Sequence, residues 1–287
     1  MMLTLMTALA VMTAAQSPDT TVDVRRGQRL AVSVHAGAVE VRTWNRDAVQ
    51  VRATGGSDAE LDVRRRGERV TVDASGSHGE PVTATLTVHA PSWMPVTVGG
   101  VDLDITVDGI AAPLSLETVQ GDVTVRGGAE LVTLTSVEGS VSLRGARGRM
   151  QVSSVNDDVE VIDAQGDLAA TTVNGDVQLS GIQSDNVDAS TINGDIAFSG
   201  PIRNAGRYRF SSHNGDLTVT FPENTSAVVN VATFSGDFEA GFPVTVTGMR
   251  RGQRFSFTIG SGSAHVELES FQGDIRLVRP GAANPAR

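Results

Sequence analysis

The 287-residue chain contains no cysteine, and its aromatic content is only 4%. Structural disulfides, cysteine-ligated zinc, iron–sulfur clusters and thiol nucleophiles are therefore excluded. The scarcity of aromatic residues argues against long platforms that stack sugars or bases. Lysine is also absent, so all 23 basic residues are arginine, against 33 acidic residues and a formal net charge of −10. Because so acidic a chain repels phosphate backbones, nucleic acid is not an expected partner.

Long apolar runs are confined to the N-terminus. Residues 1–15 are uncharged, apolar or small, and they end in Thr13-Ala14-Ala15, which resembles a signal-peptidase site. The run is shorter than the roughly 20 residues that a transmembrane helix needs. We expect a signal peptide over residues 1–15 and a mature protein that is periplasmic, displayed on the cell surface or secreted, and that does not span a membrane. The alternative is a short disordered tail, since no arginine precedes the run.

A Gly-Asp-apolar motif recurs along the rest of the chain. Its second residues, the anchors, are 18, 18, 18, 19, 21, 21 and 37 residues apart, so the last interval resembles one repeat with an insertion. A degenerate copy lies 18 residues upstream, around Asp104. Such a fixed period indicates stacked structural repeats. The motifs are Gly121-Asp122-Val123, Gly139-Ser140-Val141, Asp157-Asp158-Val159, Gly175-Asp176-Val177, Gly194-Asp195-Ile196, Gly215-Asp216-Leu217, Gly236-Asp237-Phe238 and Gly273-Asp274-Ile275.

The positions around each anchor agree from repeat to repeat. Alternate apolar residues, such as Leu114 with Leu116 and Val123 with Val125, predict two short strands that each turn one face inward. A hydroxyl residue stands four positions before each anchor, and an apolar residue, replaced once by His213, stands three positions before. The apolar period changes parity between these two columns. We therefore expect the chain to turn a corner there, with the apolar column facing inward.

Two architectures fit a repeat of two strands and two corners. One is a parallel β-solenoid, in which stacked repeats bury a continuous core, and the other is an antiparallel meander in which each Asn-Gly pair forms a hairpin turn. Asn156, Asn174, Asn193 and Asn214 share one column, and asparagine ladders gain from in-register stacking, so this column favours the solenoid. The glycines before the anchors are the other structural repeat positions. They are Gly121, Gly139, Gly175, Gly194, Gly215, Gly236 and Gly273.

The predicted fold is therefore all-β, with a parallel β-solenoid of about nine two-strand coils of 18–21 residues over residues 96–279. Residues 16–95 lack the repeat but show alternating strands, and they predict a small antiparallel β domain that covers the first coil. Residues 280–287 are expected to be a disordered tail.

The last repeat interval predicts a β-hairpin inserted at residues 243–260, built from Val244, Val246, Phe255, Phe257 and Ile259. The final strand, through Ile275 and Leu277, is interpreted as the outer edge of the solenoid. Arg276, Arg279 and Pro280 stand in or after this strand, and charge and proline commonly protect a free edge from pairing with another molecule. We therefore expect a monomer.

The anchor column is the strongest candidate for a ligand site. Asp158, Asp176, Asp195 and Asp216 would stack along one edge of a solenoid, where calcium would relieve the repulsion between their carboxylates. The competing interpretation is that these residues satisfy turn amides in a solvated corner. The hydroxyl column is too regular for a nucleophile, since catalysis needs one activated serine, and corner hydrogen bonds explain it better. No other cofactor is indicated, and the five histidines have no metal-ligand spacing.

Several segments together resemble the bacterial adhesin-like family with β-strand repeats, a domain-of-unknown-function family. The segments are Ala36-Gly37-Ala38-Val39-Glu40-Val41 followed by Trp44, the strand from Thr85 to Pro91, the Thr-Val-Asn-Gly-Asp-Val repeats, and Phe255 to Gly262 followed by Phe271-Gln272-Gly273-Asp274-Ile275. The resemblance covers nearly all of the mature chain. It implies export, a β-solenoid-like core and an adhesion or envelope role, and it brings no catalytic residues.

The expected function is that of an exported, non-catalytic β-repeat protein of the bacterial cell envelope, an adhesin-like binding or structural module. Its partner would be an envelope protein or a polysaccharide. The alternative is a calcium-dependent polysaccharide-binding protein, or a polysaccharide lyase built on a β-helix. Two-strand coils leave little room for a catalytic cleft, so we do not expect an enzyme.

Overall fold

The computed structural model describes residues 19–54, 60–76, 80–245 and 254–281, and its regular structure consists of two 13-stranded β-sheets. Sheet 1 contains, in spatial order, β1 (Asp19–Asp23), β4 (Ala48–Thr54), β7 (Thr83–Pro91), β3 (Ala36–Trp44), β9 (Asp102–Asp108), β11 (Val123–Arg126), β13 (Val141–Arg144), β15 (Val159–Ile162), β17 (Val177–Ser180), β19 (Ile196–Ser199), β21 (Leu217–Thr220), β26 (Ile275–Val278) and β23 (Phe238–Ala240). Sheet 2 contains β24 (Arg254–Ile259), β22 (Ala227–Thr233), β25 (Ala264–Gln272), β20 (Arg207–Asn214), β18 (Asn186–Asn193), β16 (Leu168–Thr171), β14 (Arg147–Ser153), β12 (Ala129–Thr135), β10 (Leu114–Glu117), β8 (Val96–Gly99), β2 (Arg29–Val34), β6 (Arg69–Ser75) and β5 (Glu60–Arg66).

The repeats stack as a parallel β-solenoid, which confirms the predicted fold class. Each repeat places one strand in each sheet and pairs in parallel with the next repeat, so that Leu114 lies beside Val132 and Val123 beside Val141. These partners stand in the same column of the sequence alignment of repeats. The meander is wrong, because within the repeats, from β8 to β23, strands that follow one another in the chain lie in opposite sheets.

The hydrophobic core lies between the two sheets. Along a central strand Val177 and Leu179 are buried whereas Gln178 between them is exposed, which is the alternation expected of a half-buried strand. The same alternation continues from β2 and β3 to β25 and β26, so one core extends along the whole stack.

The corner between the two strands differs from the expectation in one respect. The hydroxyl column is buried, and the apolar column that follows it faces solvent. Thr191, for example, is buried whereas the adjacent Ile192 is 49% exposed. The change of parity therefore occurs after the hydroxyl residue, whose side chain completes the inward face of the strand in sheet 2.

The N-terminal segment is continuous with the solenoid and is not a separate sheet. β2 pairs in parallel with β8, and β3 pairs in parallel with β9, so these two strands form a further coil next to the first repeat. β6 and β7 form a second coil outside it. Antiparallel pairing begins only beyond that coil, where β5 pairs with β6 and β4 with β7, followed by β1. The antiparallel start is confirmed, although it comprises only these outermost strands.

The C-terminal end departs further from the expectation. β25 lies between β20 and β22, and β26 lies between β21 and β23, so the last coil of the chain is the penultimate coil in space. Ile275 and Arg276 are thus internal to sheet 1, and the prediction that they form the outer edge is wrong.

The predicted hairpin falls partly on residues 246–253, outside the described residues. Its described second strand, β24, pairs antiparallel with β22 and covers the outer side of that strand. The signal peptide predicted at residues 1–15 and residues 282–287 of the predicted tail also lie outside the described residues.

Candidate functional site

One corner of the solenoid gathers the columns that the sequence singles out. The asparagine column forms a ladder along it, in which the Nδ2 group of Asn174 donates to Oδ1 of Asn156 at 2.9 Å. Asn193 and Asn214 continue the ladder with bonds of 2.7 Å each. Gln120 and Glu138 occupy the same column in earlier coils and are joined at 2.8 Å. The amides of this row are therefore oriented by their neighbours in the stack.

The hydroxyl column closes the inside of the same corner. Ser212 donates to the carbonyl oxygen of Gly194 at 2.9 Å, and Thr191 donates to that of Gly175 at 3.0 Å. Ser136, Ser154 and Ser270 each make the equivalent bond to a carbonyl of a neighbouring coil. These hydroxyls hold adjacent coils together, so none has the geometry of an activated nucleophile.

The glycines of the repeat lie where adjacent coils approach most closely. A Cβ atom on Gly194 would lie inside contact distance of the carbonyl oxygen of Gly175. A Cβ atom on Gly139, Gly215, Gly236 or Gly273 would likewise lie too close to a backbone carbonyl of the neighbouring coil. Gly121 and Gly175 meet the backbone carbonyls of Leu103 and Asp157 in the same way. The close approach of the coils leaves no room for a side chain at these seven glycines, whereas the motif around Asp158 carries Asp157 in this column.

The aspartates form a capping ladder. Oδ1 of Asp158 accepts the backbone N–H of Asp176 at 2.7 Å, Oδ1 of Asp176 accepts that of Asp195 at 2.8 Å, and Oδ1 of Asp195 accepts that of Asp216 at 2.8 Å. The next carboxylate, Asp216, accepts the N–H of Asp274. The four residues weighed as calcium ligands thus lie in one row, one per coil. Among the described residues no group of three or more His, Asp or Glu side chains is arranged to hold a metal ion.

An exposed row of apolar side chains runs along the outside of this corner, and we call it the corner ladder. Each of the nine coils from β8–β9 to β22–β23 contributes one residue to it. In spatial order the ladder is Val101, Val119, Val137, Val155, Val173, Ile192, His213, Phe271 and Phe234. At its C-terminal end the rings of His213 and Phe271 stack with centroids 4.7 Å apart, and Phe271 and Phe234 stack at the same distance. The interpretation of His213 as a substitute for an apolar residue agrees with this stack.

The outer face of sheet 2 carries two troughs, and the second of them lies beside the corner ladder. One, of about 610 Å³, contains Arg149, Asp167, Arg209 and Glu267, in which Arg209 binds Glu267 at 2.8 Å. The other, of about 660 Å³, lies between the ladder residues from Val173 to Phe234 and the hydroxyl groups of sheet 2. Both troughs are open and shallow, and several of their charges are engaged in the ion pairs Arg149–Asp167, Arg209–Glu267 and Arg254–Glu269, so they suit contact with a partner more than chemistry on it.

Among the described residues, three titrating groups have shifted pKa values, each for a structural reason. Burial raises the pKa of Tyr208, whose hydroxyl donates to Ser184 O at 2.7 Å and accepts from the Arg203 amide at 2.8 Å. Hydrogen bonding to Glu267 raises the pKa of Arg209, and hydrogen bonding to Asp216 raises that of Arg276. Each of the three groups is held by a hydrogen bond to another part of the chain.

The arginine runs have different positions. Arg64, Arg65 and Arg66 end β5, the outermost strand of sheet 2 at the N-terminal end, where charge protects an edge. Arg250 and Arg251 lie outside the described residues. Sequence reasoning missed the exposed corner ladder because Val, Ile and Phe in a repeating column are normally buried. The available signal is the alternation of the columns. The hydroxyl column continues the alternation of the buried residues before it, so the apolar residue that follows the hydroxyl falls on the outer side.

Fold and surface together define a long β-solenoid with ordered ladders at its corner and open contact surfaces. The chain belongs to the Toastrack DUF4097 family, whose model matches residues 27–278. Among curated proteins, none matches the chain. Within the described residues, no helix has the length and apolar character needed to cross a membrane.

Solved structures of similar fold include a “putative adhesin” of Bacteroides fragilis NCTC 9343, with 11% identity, a TM-score of 0.42, and coverage of 92% of this chain and 98% of that one. A “putative adhesin” of Parabacteroides merdae ATCC 43184 has 8% identity, a TM-score of 0.42 and coverage of 92% and 97%. A “Putative lipid binding protein” of Parabacteroides distasonis ATCC 8503 has 11% identity, a TM-score of 0.33 and coverage of 92% and 97%. Similarities at this level carry no argument about a ligand.

Proposed function

We propose that the protein is an exported, non-catalytic binding module of the bacterial cell envelope. One observation carries this proposal: the hydroxyl and aspartate columns, which the sequence offers as possible nucleophiles and metal ligands, make hydrogen bonds between coils of the solenoid itself. The serine and threonine hydroxyls bond carbonyls of neighbouring coils, and the aspartate Oδ1 atoms bond neighbouring amides. The surface that remains is extended and regular, which suits recognition of another molecule.

The proposed location follows from residues 1–15, an apolar stretch that ends in a signal-peptidase-like sequence. An adhesin-like role agrees with the names of two similar solved structures, each called a “putative adhesin”. The argument for binding rests on the surface of this chain. A non-catalytic role agrees with the paired charges of the sheet 2 troughs, where Arg209 is held by Glu267 and Arg254 by Glu269.

The experiment is an affinity capture with the mature chain, residues 16–287, immobilised and exposed to envelope extract. Heat-denatured protein on the same support is the matched control. We expect specific capture of an envelope component, identified by mass spectrometry and sugar analysis. Capture that equals the control would contradict the binding role. In parallel, incubation with acidic polysaccharides should release no unsaturated sugars, and release would replace the binding module with a lyase.

A further inference from the structure

The corner ladder is a regular row of apolar side chains with His213 among them, in which Val137 and Val173 are half-buried and the other members are exposed. Its members include Val119 at 44% exposure, Ile192 at 49% and Phe234 at 63%. Nine residues, one in each coil, extend over about 38 Å at the usual strand spacing of about 4.8 Å. Contiguous apolar surfaces of this kind on a soluble protein mark interaction sites. Nothing in the described part of the chain covers the ladder.

The surroundings of the ladder differ on its two sides. On the sheet 2 side, small hydroxyl residues such as Ser190 and Ser211 line the 660 Å³ trough between Ile192 and Phe234. This trough gives apolar side chains of a partner a place to enter beside the stacked rings. On the sheet 1 side lies the asparagine column, which also contains Gln120 and Glu138, and beyond it lies the row of aspartates.

The aspartate row makes this side of the ladder negative. It carries a carboxylate in eight of the nine coils, with Ser140 in the ninth. The carboxylates are Asp104, Asp122, Asp158, Asp176, Asp195, Asp216, Asp274 and Asp237. Arg276 pairs with Asp216 at 2.8 Å and with Asp274 at 2.7 Å. An excess of negative charge remains, in a chain whose net charge is −10.

The negative charge of the aspartate row determines which kinds of molecule can bind to the apolar ladder. A second copy of the chain would bring two acidic rows together, and like charges across an interface are unfavourable. An anionic lipid surface is repelled for the same reason. A polypeptide with an apolar face and basic residues beside it matches both the ladder and the aspartate row.

We propose that the corner ladder and the aspartate row together are the docking surface for a basic amphipathic polypeptide segment. A helix of about 25 residues spans the ladder, at a rise of about 1.5 Å per residue. The stacked rings of His213, Phe271 and Phe234, at the end with the trough, are the anchor of the interface, because aromatic groups beside a pocket contribute most to binding. This inference rests on the proposed binding function and names the partner's chemistry.

The probe is a synthetic 25-residue amphipathic helix with leucine on one face and lysine beside it, labelled for fluorescence anisotropy. The control probe has glutamate in place of each lysine. We expect the basic probe to bind the mature chain, with an affinity that falls as salt is raised, and the acidic probe to bind far more weakly. Failure of the basic probe to bind, or equal binding of the acidic probe, would overturn the inference.

Variants test which surface is used. Ile192→Ser combined with Phe271→Ser should weaken binding of the basic probe by about tenfold or more, as loss of interface anchors does. Leu131→Ser is the matched control, because Leu131 is 47% exposed but lies outside the ladder. It should leave binding unchanged. Equal effects of the two changes would overturn the inference.

The charge is tested separately. Asp158→Asn with Asp176→Asn keeps an Oδ1 acceptor for the amide of the next coil and removes two charges. This pair should weaken binding at low salt and have little effect at high salt, whereas Asp188→Asn on the face of sheet 2 should change neither. If the envelope component captured by the wild type is captured equally by the Ile192→Ser, Phe271→Ser variant, the binding function stands and this docking surface does not.

Discussion

Gly194 lies where two coils of the solenoid are in closest contact, so replacing it with alanine should be severely destabilising. Its backbone does not adopt the left-handed conformation that favours glycine, and the conflict is therefore one of space. A Cβ atom here would lie 2.5 Å from the carbonyl carbon of Gly175 and 3.0 Å from Oδ1 of Asp176. Carbon atoms in van der Waals contact are about 3.5–4.0 Å apart. The two coils would have to separate locally by about 1 Å.

Three hydrogen bonds cross the gap that would open. The amide of Asp195 donates to Oδ1 of Asp176 at 2.8 Å, Thr191 donates to Gly175 O at 3.0 Å, and the Gly175 amide donates to Asn193 O at 3.0 Å. Overpacking of a tight site costs about 1–3 kcal/mol. Loss of two of the bonds would add about 1 kcal/mol each. The expected loss for Gly194→Ala is about 3–5 kcal/mol.

Gly99 provides the matched control, since a Cβ atom there has no heavy atom within 4 Å and its backbone is also outside the left-handed region. Gly99→Ala should be neutral or should stabilise the protein by about 0.4–1 kcal/mol through the unfolded state. Urea unfolding followed by far-UV circular dichroism measures both variants against the wild type. If Gly194→Ala loses no more stability than Gly99→Ala, then the close approach of the coils is not what requires glycine in this column.

Two further expectations follow from the structure, and a third follows from the sequence of residues 1–15. Val177→Asp buries a charge in the core and should cost several kcal/mol in urea unfolding, whereas Gln178→Asp on the outer face should be mild, and equal losses would mean that the strand phase is wrong. Tyr208 is the single tyrosine, and burial raises its pKa, so its phenolate absorbance should appear at higher pH in the native protein than in guanidinium. Because the unfolded phenol ionises first, the associated stability is complete below pH about 10 and is lost as the pH rises through the folded pKa; coincident titrations would contradict this. Mass spectrometry of the native protein should find its N-terminus near Gln16, and an intact Met1 in a cytosolic fraction would refute export.

The register of the solenoid could be predicted because the repeat period translates directly into strand pairing. An 18-residue period places Leu114 beside Val132 and Val123 beside Val141, and the structure pairs them in parallel. The asparagine column favoured the solenoid over the meander, because a ladder of side-chain amides forms only when equivalent positions of the repeats stack.

The orientation of the corner could not be predicted from residue types. A buried hydroxyl is unfavourable without a hydrogen-bond partner, so the sequence favours burying Ile192 rather than Thr191. The partner of Thr191 is the carbonyl of Gly175, which belongs to the previous coil and is in reach only because the glycine column lets the coils approach. A contact between repeats therefore determines which side chain is buried at the corner.

The spatial order of the coils at the two ends could not be predicted from the sequence either. This order affects how easily the terminal coils unfold locally. In an ordinary repeat array each coil contacts only its neighbours in sequence, so the terminal coils open first. Here the coil of β22 and β23 lies at the C-terminal end of the stack, and the coil of β25 and β26 is its inner neighbour. At the other end, the coil of β6 and β7 lies outermost, and the coil of β2 and β3 is its inner neighbour. The spacing of 37 residues between Asp237 and Asp274 shows that something is inserted, but both coils present the same columns and neither is marked as the outer one.

This arrangement joins distant parts of the chain at each boundary. Removal of β25 and β26 would take out an internal coil and interrupt both sheets, although these strands are the last in the chain. The outer coils are in turn covered by antiparallel strands, β24 on β22 and β5 on β6, which satisfy edge groups that a parallel solenoid would leave free. The outermost strands are short, as in β23, or charged, as in β5 with Arg64 and Arg65. The ends of the solenoid are therefore protected by strand order and antiparallel pairing, whereas the corner ladder runs along its length and is exposed.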